Sequence, residues 1–329
     1  MKALTYRVTK HTIPRWAPIH EKEPRGIAYE TDTHFVHVFG QDAGLWIVSP
    51  GLTVTEARSG TLYEWIDRTF GAVEVKESLH EVGHSVRGVW RPGLFFSNEI
   101  LQGLDTTESA LRMAEQALVI LISKLDEIFQ FVEPEPKTLL VYGHKIRELL
   151  ILAATEAENA WKDFLRIAGT APPANGRFST NHYVKLSRPL ALEDYQVYFP
   201  QYVGIPKIRP FLGWSASNPT SSLPWYDAYN KTKHDRNQHF DSATLMACIQ
   251  AISANIVLLS VRYGPFNLFN GGNRLSALIN HLIRLELVAC DPASFYVPKI
   301  RLHSQQRSDL ICYGAQDNIE NWVVDPLKL

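Results

Sequence analysis

The stretch DTTESALRMAEQALVILISKLDEIF, residues 105–129, decides how the larger part of the chain folds. Leu111, Ala114, Leu118, Leu121, Ile122, Leu125 and Phe129 recur at three- and four-residue spacing, which gathers them on one side of a helix. Asp105 or Thr106 is placed to cap that helix, and Glu108 suits a first turn whose free N–H groups carry partial positive charge. Glu133-Pro134-Glu135-Pro136 ends it, because proline lacks an N–H and drives the residue before it out of the helical region. A second helix is expected over 138–168, with Leu149, Leu152, Ala153, Ala157, Trp161 and Leu165 on one face and Gly169 and Pro172-Pro173 as the stop. So short a connector makes an antiparallel pair the default. A third long helix is expected to start at Asp235 or Asn237, carry Phe240, Ala243, Ile249, Ile252, Ile256 and Leu259, and stop at Gly264-Pro265. A fourth runs from Asn273 through Leu275, Leu278, Ile279, Leu282 and Leu285 to Asp291-Pro292.

Outward from these helices the pattern changes. Residues 34–39, HFVHVF, and 45–48, LWIV, have the β-branched and aromatic content of strands, and 61–70 has that of a short helix. Residues 170–222 are rich in Pro, Gly, Asn and Ser, with strand-like pieces at 183–186 and 195–199. The tail has strand character at 297–302 and 310–313. The expected fold class is α+β. A small strand-containing N-terminal lobe, 1–104, precedes a helical domain, 105–329, with an insertion at about 170–222 and a short strand-like C-terminal tail.

The chain has 329 residues, 45% hydrophobic and 20% charged, enough to bury a substantial core. Lys and Arg number 33 against 34 Asp and Glu, so no global basic field draws it to nucleic acid or an anionic membrane, and any such contact needs a local cluster. Cys248, Cys290 and Cys312 are far apart and odd in number, which points away from a disulfide framework and towards a reducing compartment. The N-terminal MKALTYRVTKHTIPRW lacks a signal-peptide core, and the apolar run 117–122 is too short to span a bilayer. The expectation is a cytoplasmic protein with no membrane partner and no cofactor.

The densest chemistry is 225–239, WYDAYNKTKHDRNQH, with two His, one Arg, two Lys, two Asp and three aromatics. If it opens the third helix, its donors and the free backbone N–H groups there together bind an anion. Histidine and arginine together supply acid–base chemistry and a stabiliser for a phosphorane-like charge, as a metal-free ribonuclease requires. A structural reading stands beside this one: Asn230, Lys233, His234 and Arg236 cap the helix, pair with Glu156 or Glu158 and fix the long loop.

Tyr229-Asn230-x-x-Lys233-His234-x-Arg236, preceded by Trp225-Tyr226, resembles the signature of bacterial HEPN-like proteins. The helix carrying Arg147-Glu148-Leu149, Glu156, Glu158 and Trp161 is similar to that superfamily's opening helices, and the resemblance covers roughly 105–290. It implies an antiparallel four-helix bundle, a homodimer, and a metal-independent RNase in a stress or anti-phage system. Arg236 with His239 or His234 would be catalytic, and Tyr229, Asn230, Lys233 and Asn237 would hold the phosphate. The chain departs from the family pattern in one respect: His239 follows Arg236 by three positions rather than five to seven, which places it on another helix face. The implied partner is RNA or a nucleotide. A non-enzymatic interaction or scaffold protein with a protein partner and a degenerate site is the alternative.

A second alternative is a zinc hydrolase. His80-Glu81-Val82-Gly83-His84 matches H-E-x-x-H, which on a helix would set both histidines on one metal with Glu81 as base. Val75, Leu79, Val82, Val86 and Val89 repeat at helical spacing there, but Gly83 and Gly88 weaken a helix and no third ligand stands at a suitable place.

Overall fold

The first two strands are bounded by charged residues, Lys2 and Arg7 on one and Arg25 and Glu30 on the other, and bury what lies between: Ala3, Thr5 and Tyr6 on the first, Gly26 to Tyr29 in succession on the second. In the computed structural model, which describes residues 1–10, 25–42, 45–270, 272–302, 310–312 and 319–329, the chain is mixed α+β. Tyr313 and residues 11–16, read above, lie outside the described residues. Two compact units form: Met1–Asp105 with Cys290–Asp325, and Thr106–Ala289 with Pro326–Leu329.

In the first unit, strands β1 (Lys2–Arg7), β2 (Arg25–Glu30), β3 (His34–Asp42), β4 (Trp46–Ala57), β5 (Val73–Glu81) and β9 (Leu310–Cys312) form an antiparallel sheet in the order β5-β1-β2-β3-β4-β9. Helix α1 (Leu62–Phe70) starts at a capping box in which Thr61 and Glu64 satisfy each other's backbone N–H, and it closes on Gly71 at φ 58°. Trp65, Ile66 and Phe70 from α1 pack on Tyr6, Ala28, Phe35 and Val54 of the sheet and on Val8 just past β1, with Trp65 stacked on Phe35 at 5.3 Å. After β5 come β6 (His84–Val86) and α2 (Ser97–Gly103), and β10 (Val323–Asp325) pairs with β6 in parallel. Between them Gly93, at φ 119°, lets the backbone pass so close to Tyr296 that an added Cβ would stand 2.0 Å from its carbonyl oxygen.

The tail corrects the expected division, in which it closed the helical domain. Residues 290–325 belong to the first unit because β9 extends the sheet at β4 and β10 binds β6. Tyr296 Oη donates to the Val89 carbonyl at 2.6 Å, and Tyr29 Oη accepts from the Ile300 N–H at 2.8 Å.

Glu99 on α2 is 7% exposed; its Oε2 accepts from the Phe96 N–H at 3.1 Å, while Oε1 is buried without a partner. Burial raises its carboxyl pKa, so the folded state holds the proton more tightly than the unfolded chain does. The resulting penalty is absent below about pH 4, grows as pH rises through the raised folded value, and is complete above it. Glu99→Gln is therefore expected to gain stability over the wild type as pH climbs from about 4 to 7, read by urea unfolding at each pH.

The second unit is built from α3 (Glu108–Phe129), α4 (His144–Ile167), α5 (Thr180–Tyr183), β7 (Tyr195–Tyr198), α6 (Pro224–His234), α7 (Arg236–His239), α8 (Leu245–Tyr263), α9 (Phe266–Asn270), α10 (Arg274–Leu282) and β8 (Arg284–Leu287). Helix α8 lies at its centre, packed against α3, α4 and α6 and buried on nearly every side. Its polar groups are spent internally: Ser253 and Ser260 donate to the Ile249 and Ile256 carbonyls, and Asn255 donates to Ala153 and Ala251. Among the described residues α8 is the one helix long and apolar enough to cross a membrane, a stretch that the run 117–122 did not represent. Most of its surface is buried inside the unit.

Several boundaries differ from expectation. Thr107, rather than Asp105 or Thr106, caps α3 by accepting from the Ala110 N–H. The third long helix starts at Leu245 under a Thr244 cap, because Asp235 at φ −138°, ψ 81° breaks the path and residues 240–242 form a 3-10 turn. Residues 224–234 make a helix of their own, with Pro224 in its first turn. The fourth helix begins at Asn273 as read, but it stops at Leu282, and Leu285 sits on β8 against β7. The piece 183–186 is helical turn rather than strand.

Candidate functional site

Tyr229, Asn230 and Lys233 lie within α6 or at its end, so the polar cluster occupies the C-terminal half of a helix and not the N-terminus of a long one. That removes the free backbone N–H groups the anion reading relied on. Asn230 donates its amide to the Tyr226 carbonyl one turn back at 3.1 Å. Lys233 Nζ donates to Tyr229 Oη at 2.7 Å, a contact that raises the lysine's pKa.

Tyr226 Oη donates to Glu158 Oε1 at 2.7 Å, and Lys162 lies 3.8 Å from the same carboxylate. Burial first, and then the hydrogen bond to Glu158, push the Tyr226 hydroxyl far above its ordinary range. Burial also pushes Tyr183 up to about 12, with the Glu158 charge adding to it. Around this carboxylate Trp161 meets Tyr183 at 5.1 Å, Trp214 at 5.0 Å, Trp225 at 5.8 Å and Tyr226 at 5.3 Å. These groups hold α6 and the segment between α4 and α6 against α4. Trp214 and Trp225 are both buried, at 6% and 1% exposure.

The exposed chemistry lies just beyond. Arg147 Nη2 on α4 donates to the Thr232 carbonyl at 2.8 Å and ties down the end of α6. The chain turns at Asp235, whose carboxylate accepts from the Gln238 N–H, and α7 then presents Arg236. Arg236 Nη2 stands 3.4 Å from His144 Nδ1 at the first residue of α4, and Phe240 packs beside both, 4.9 Å from the imidazole and 5.8 Å from the guanidinium. Tyr142 meets Phe240 edge-on at 5.7 Å. His234, Arg236 and Asn237 are exposed and His239 is half-buried. Among the described residues neither His234 nor His239 hydrogen-bonds to Arg236.

The histidine brought to Arg236 is thus His144, which the sequence reading missed. Its only mark there was the order Gly143-His144-x-x-Arg147. A helix expected from 138 put it in the interior of an element instead of at an exposed start. A guanidinium donates only, so Nδ1 must be the acceptor, and the neutral imidazole then carries its proton on Nε2. The pair offers guanidinium N–H groups and an imidazole N–H together, a set suited to phosphate oxygens. A cleft of about 470 Å³ runs alongside, lined by His144, Lys145, Ile128, Phe131, Leu149 and Leu152.

The H-E-x-x-H segment does not form a helix. His80 lies on β5, Val82-Gly83 make a turn, and His84 lies on β6, so the i, i+4 alignment a zincin needs is absent. His84 Nδ1 is 3.1 Å from Asp325 Oδ2, and Glu81 pairs with the Met1 amino group. His80 meets the Tyr296 ring edge-on at 5.0 Å, and burial, with Arg91 adding to it, holds its imidazole pKa below the ordinary range. Among the described residues no group of three or more His, Cys, Asp or Glu is placed to hold a metal ion.

Compared with known proteins, the chain matches no family model, no curated protein and no solved structure. The HEPN-like resemblance therefore rests on residues 225–239 and the helix around Trp161 by themselves.

Proposed function

We propose that the second unit is a HEPN-like helical domain that binds RNA phosphate at Arg236 and His144 and cleaves the chain there. The observation that carries this is the 3.4 Å approach of the Arg236 guanidinium to His144 Nδ1 on an exposed surface. Arg236 is the arginine of the motif, and His144 supplies the histidine that the spacing to His239 places on another face. In the reaction the guanidinium turns from Nδ1 to the phosphate, which frees that nitrogen to take the proton of the ribose 2′-hydroxyl. The 2′-oxygen attacks phosphorus, the P–O5′ bond breaks, and the departing 5′-oxygen takes a proton from the imidazolium formed at His144, which restores the neutral ring. The products are a 2′,3′-cyclic phosphate and a 5′-hydroxyl. Arg236 offsets the charge gathering on the phosphoryl oxygens.

The test is degradation of total RNA by the full chain in EDTA. Arg236→Ala and His144→Ala are each expected to slow cleavage roughly a hundredfold, the scale for losing one stabilising or proton-transferring group. DNA of the same sequence, lacking the 2′-hydroxyl, is expected to stay intact. Undiminished cleavage in a folded double variant would sink the proposal.

A second reading, a non-catalytic interaction protein, draws on a different observation. Asn230 and Lys233, two residues expected to hold phosphate, are engaged within α6 itself. It predicts RNA retention without cleavage and no dependence on His144.

A further inference from the structure

The face of the second unit bounded by α3, α4 and α8 holds another cleft, of about 430 Å³, in the range of pockets that take small molecules. One wall is apolar and made of small or aliphatic side chains, among them Ala114 and Ala117 on α3 and Leu258 on α8. Helix α4 adds polar side chains to the lining. Glu156, Asn159 and Asp163 recur on α4 at the three- and four-residue spacing that keeps them on one helix face, and all three line the cleft.

Their charges are not balanced. Asp163 is paired with Arg262 Nε at 3.3 Å, and that guanidinium is 13% exposed and lies over the Tyr263 ring. Glu156 is half-buried and makes no ion pair or hydrogen bond with any described residue. Asn255, also on the lining, spends its Nδ2 hydrogens on the Ala153 and Ala251 carbonyls, at 2.8 Å each. Two carbonyl partners fix which side of that amide is nitrogen, so its Oδ1 remains as an acceptor. Glu156 and Asn255 together give acceptors and one uncompensated negative charge beside an apolar wall. Their complement is a group that donates several hydrogen bonds, carries a positive charge and trails an apolar body.

We propose that this cleft is a binding site for a small organic amine, its ammonium on Glu156 and Asn255 and its apolar body against the α3 wall. The site is separate from Arg236 and His144 and does not depend on the reaction proposed there. Titration calorimetry on the full chain with 2-phenylethylamine, 2-phenylethanol and phenylacetate as probes tests it. The amine is expected to bind, and the alcohol and the carboxylate at least tenfold more weakly. Glu156→Gln keeps shape and hydrogen bonding and is expected to weaken the amine at least tenfold with an unchanged circular dichroism spectrum. Ala117→Phe, which fills the apolar wall, is expected to abolish it. Alcohol and amine binding equally, an amine indifferent to Glu156→Gln, or no amine binding by the wild type at millimolar concentration would each overturn the proposal.

Discussion

Trp161→Ala is expected to lower the stability of the helical unit by about 3–5 kcal/mol, the range for truncating a fully buried large aromatic. Trp161 is 0% exposed and meets five aromatic rings drawn from α6 and the segment between α4 and α6, so the void it leaves has rigid walls that collapse poorly. Its Nε1 is buried without a hydrogen-bond partner, so truncation strands no polar group and the loss is one of packing. For a unit of this size the midpoint of thermal unfolding is expected to fall by roughly 10 °C. Near-ultraviolet circular dichroism reports it, because the transition carries the tryptophan signal. A shift of one or two degrees would mean that the ring cluster contributes little to the packing of α6 against α4. Trp161→Phe, which keeps a ring in place, is expected to recover a good part of the loss.

The second large effect belongs to the first unit. Gly93→Ala would set a methyl group 2.0 Å from the Tyr296 carbonyl oxygen, well inside contact distance, in a backbone conformation at φ 119° that side chains avoid. Backbone on both sides must move apart, and a cost of about 3 kcal/mol or more is expected. Gly169→Ala is the control. It too has a positive φ, 69°, but an added Cβ there meets nothing within 4 Å, so only the conformational strain of about 1–2 kcal/mol applies. Urea unfolding of both variants separates crowding from strain. Equal losses would mean that the segments carrying Gly93 and Tyr296 do not approach as closely as the structure places them.

How far the sequence reaches can be judged element by element. Helices α1 and α3 were legible because a cap, an apolar stripe and a Gly or Pro stop agree at each, and α4 by its stripe and stop, although with no capping side chain its start was expected at 138 rather than at His144. Helix α6 was not, because its sequence is mostly polar and aromatic and shows no apolar period, so it merged with the start of α8. Helix α8 was read as striped, yet it is buried nearly all round, and a helix apolar on every face gives no period to read. The valine spacing near His80 suggested a helix where β5 and β6 form, since a short run satisfies both periods and sheet pairing decides between them. Arg236 was singled out by the motif it resembles. His144 was not, because 92 residues separate it from Arg236 and the contact depends on how α4 meets α7. The α3–α4–α8 cleft was out of reach for the same reason: Glu156 and Asn255 come to line one cleft only through packing.

The return of residues 290–325 to the first unit has a consequence for the order in which the protein matures during its synthesis. Everything the helical unit needs up to Ala289 emerges before the last strands of the sheet unit exist. At ordinary translation rates the ribosome takes roughly 10–40 s to pass from the first piece of the sheet unit to its last. Over that time β4 offers residues 53–55, the partners of β9, as an open edge to any other nascent chain. The body of the helical unit, up to Ala289, therefore emerges before the sheet unit has its last strands, so a truncation before β9 leaves the 53–55 edge of β4 open to aggregation.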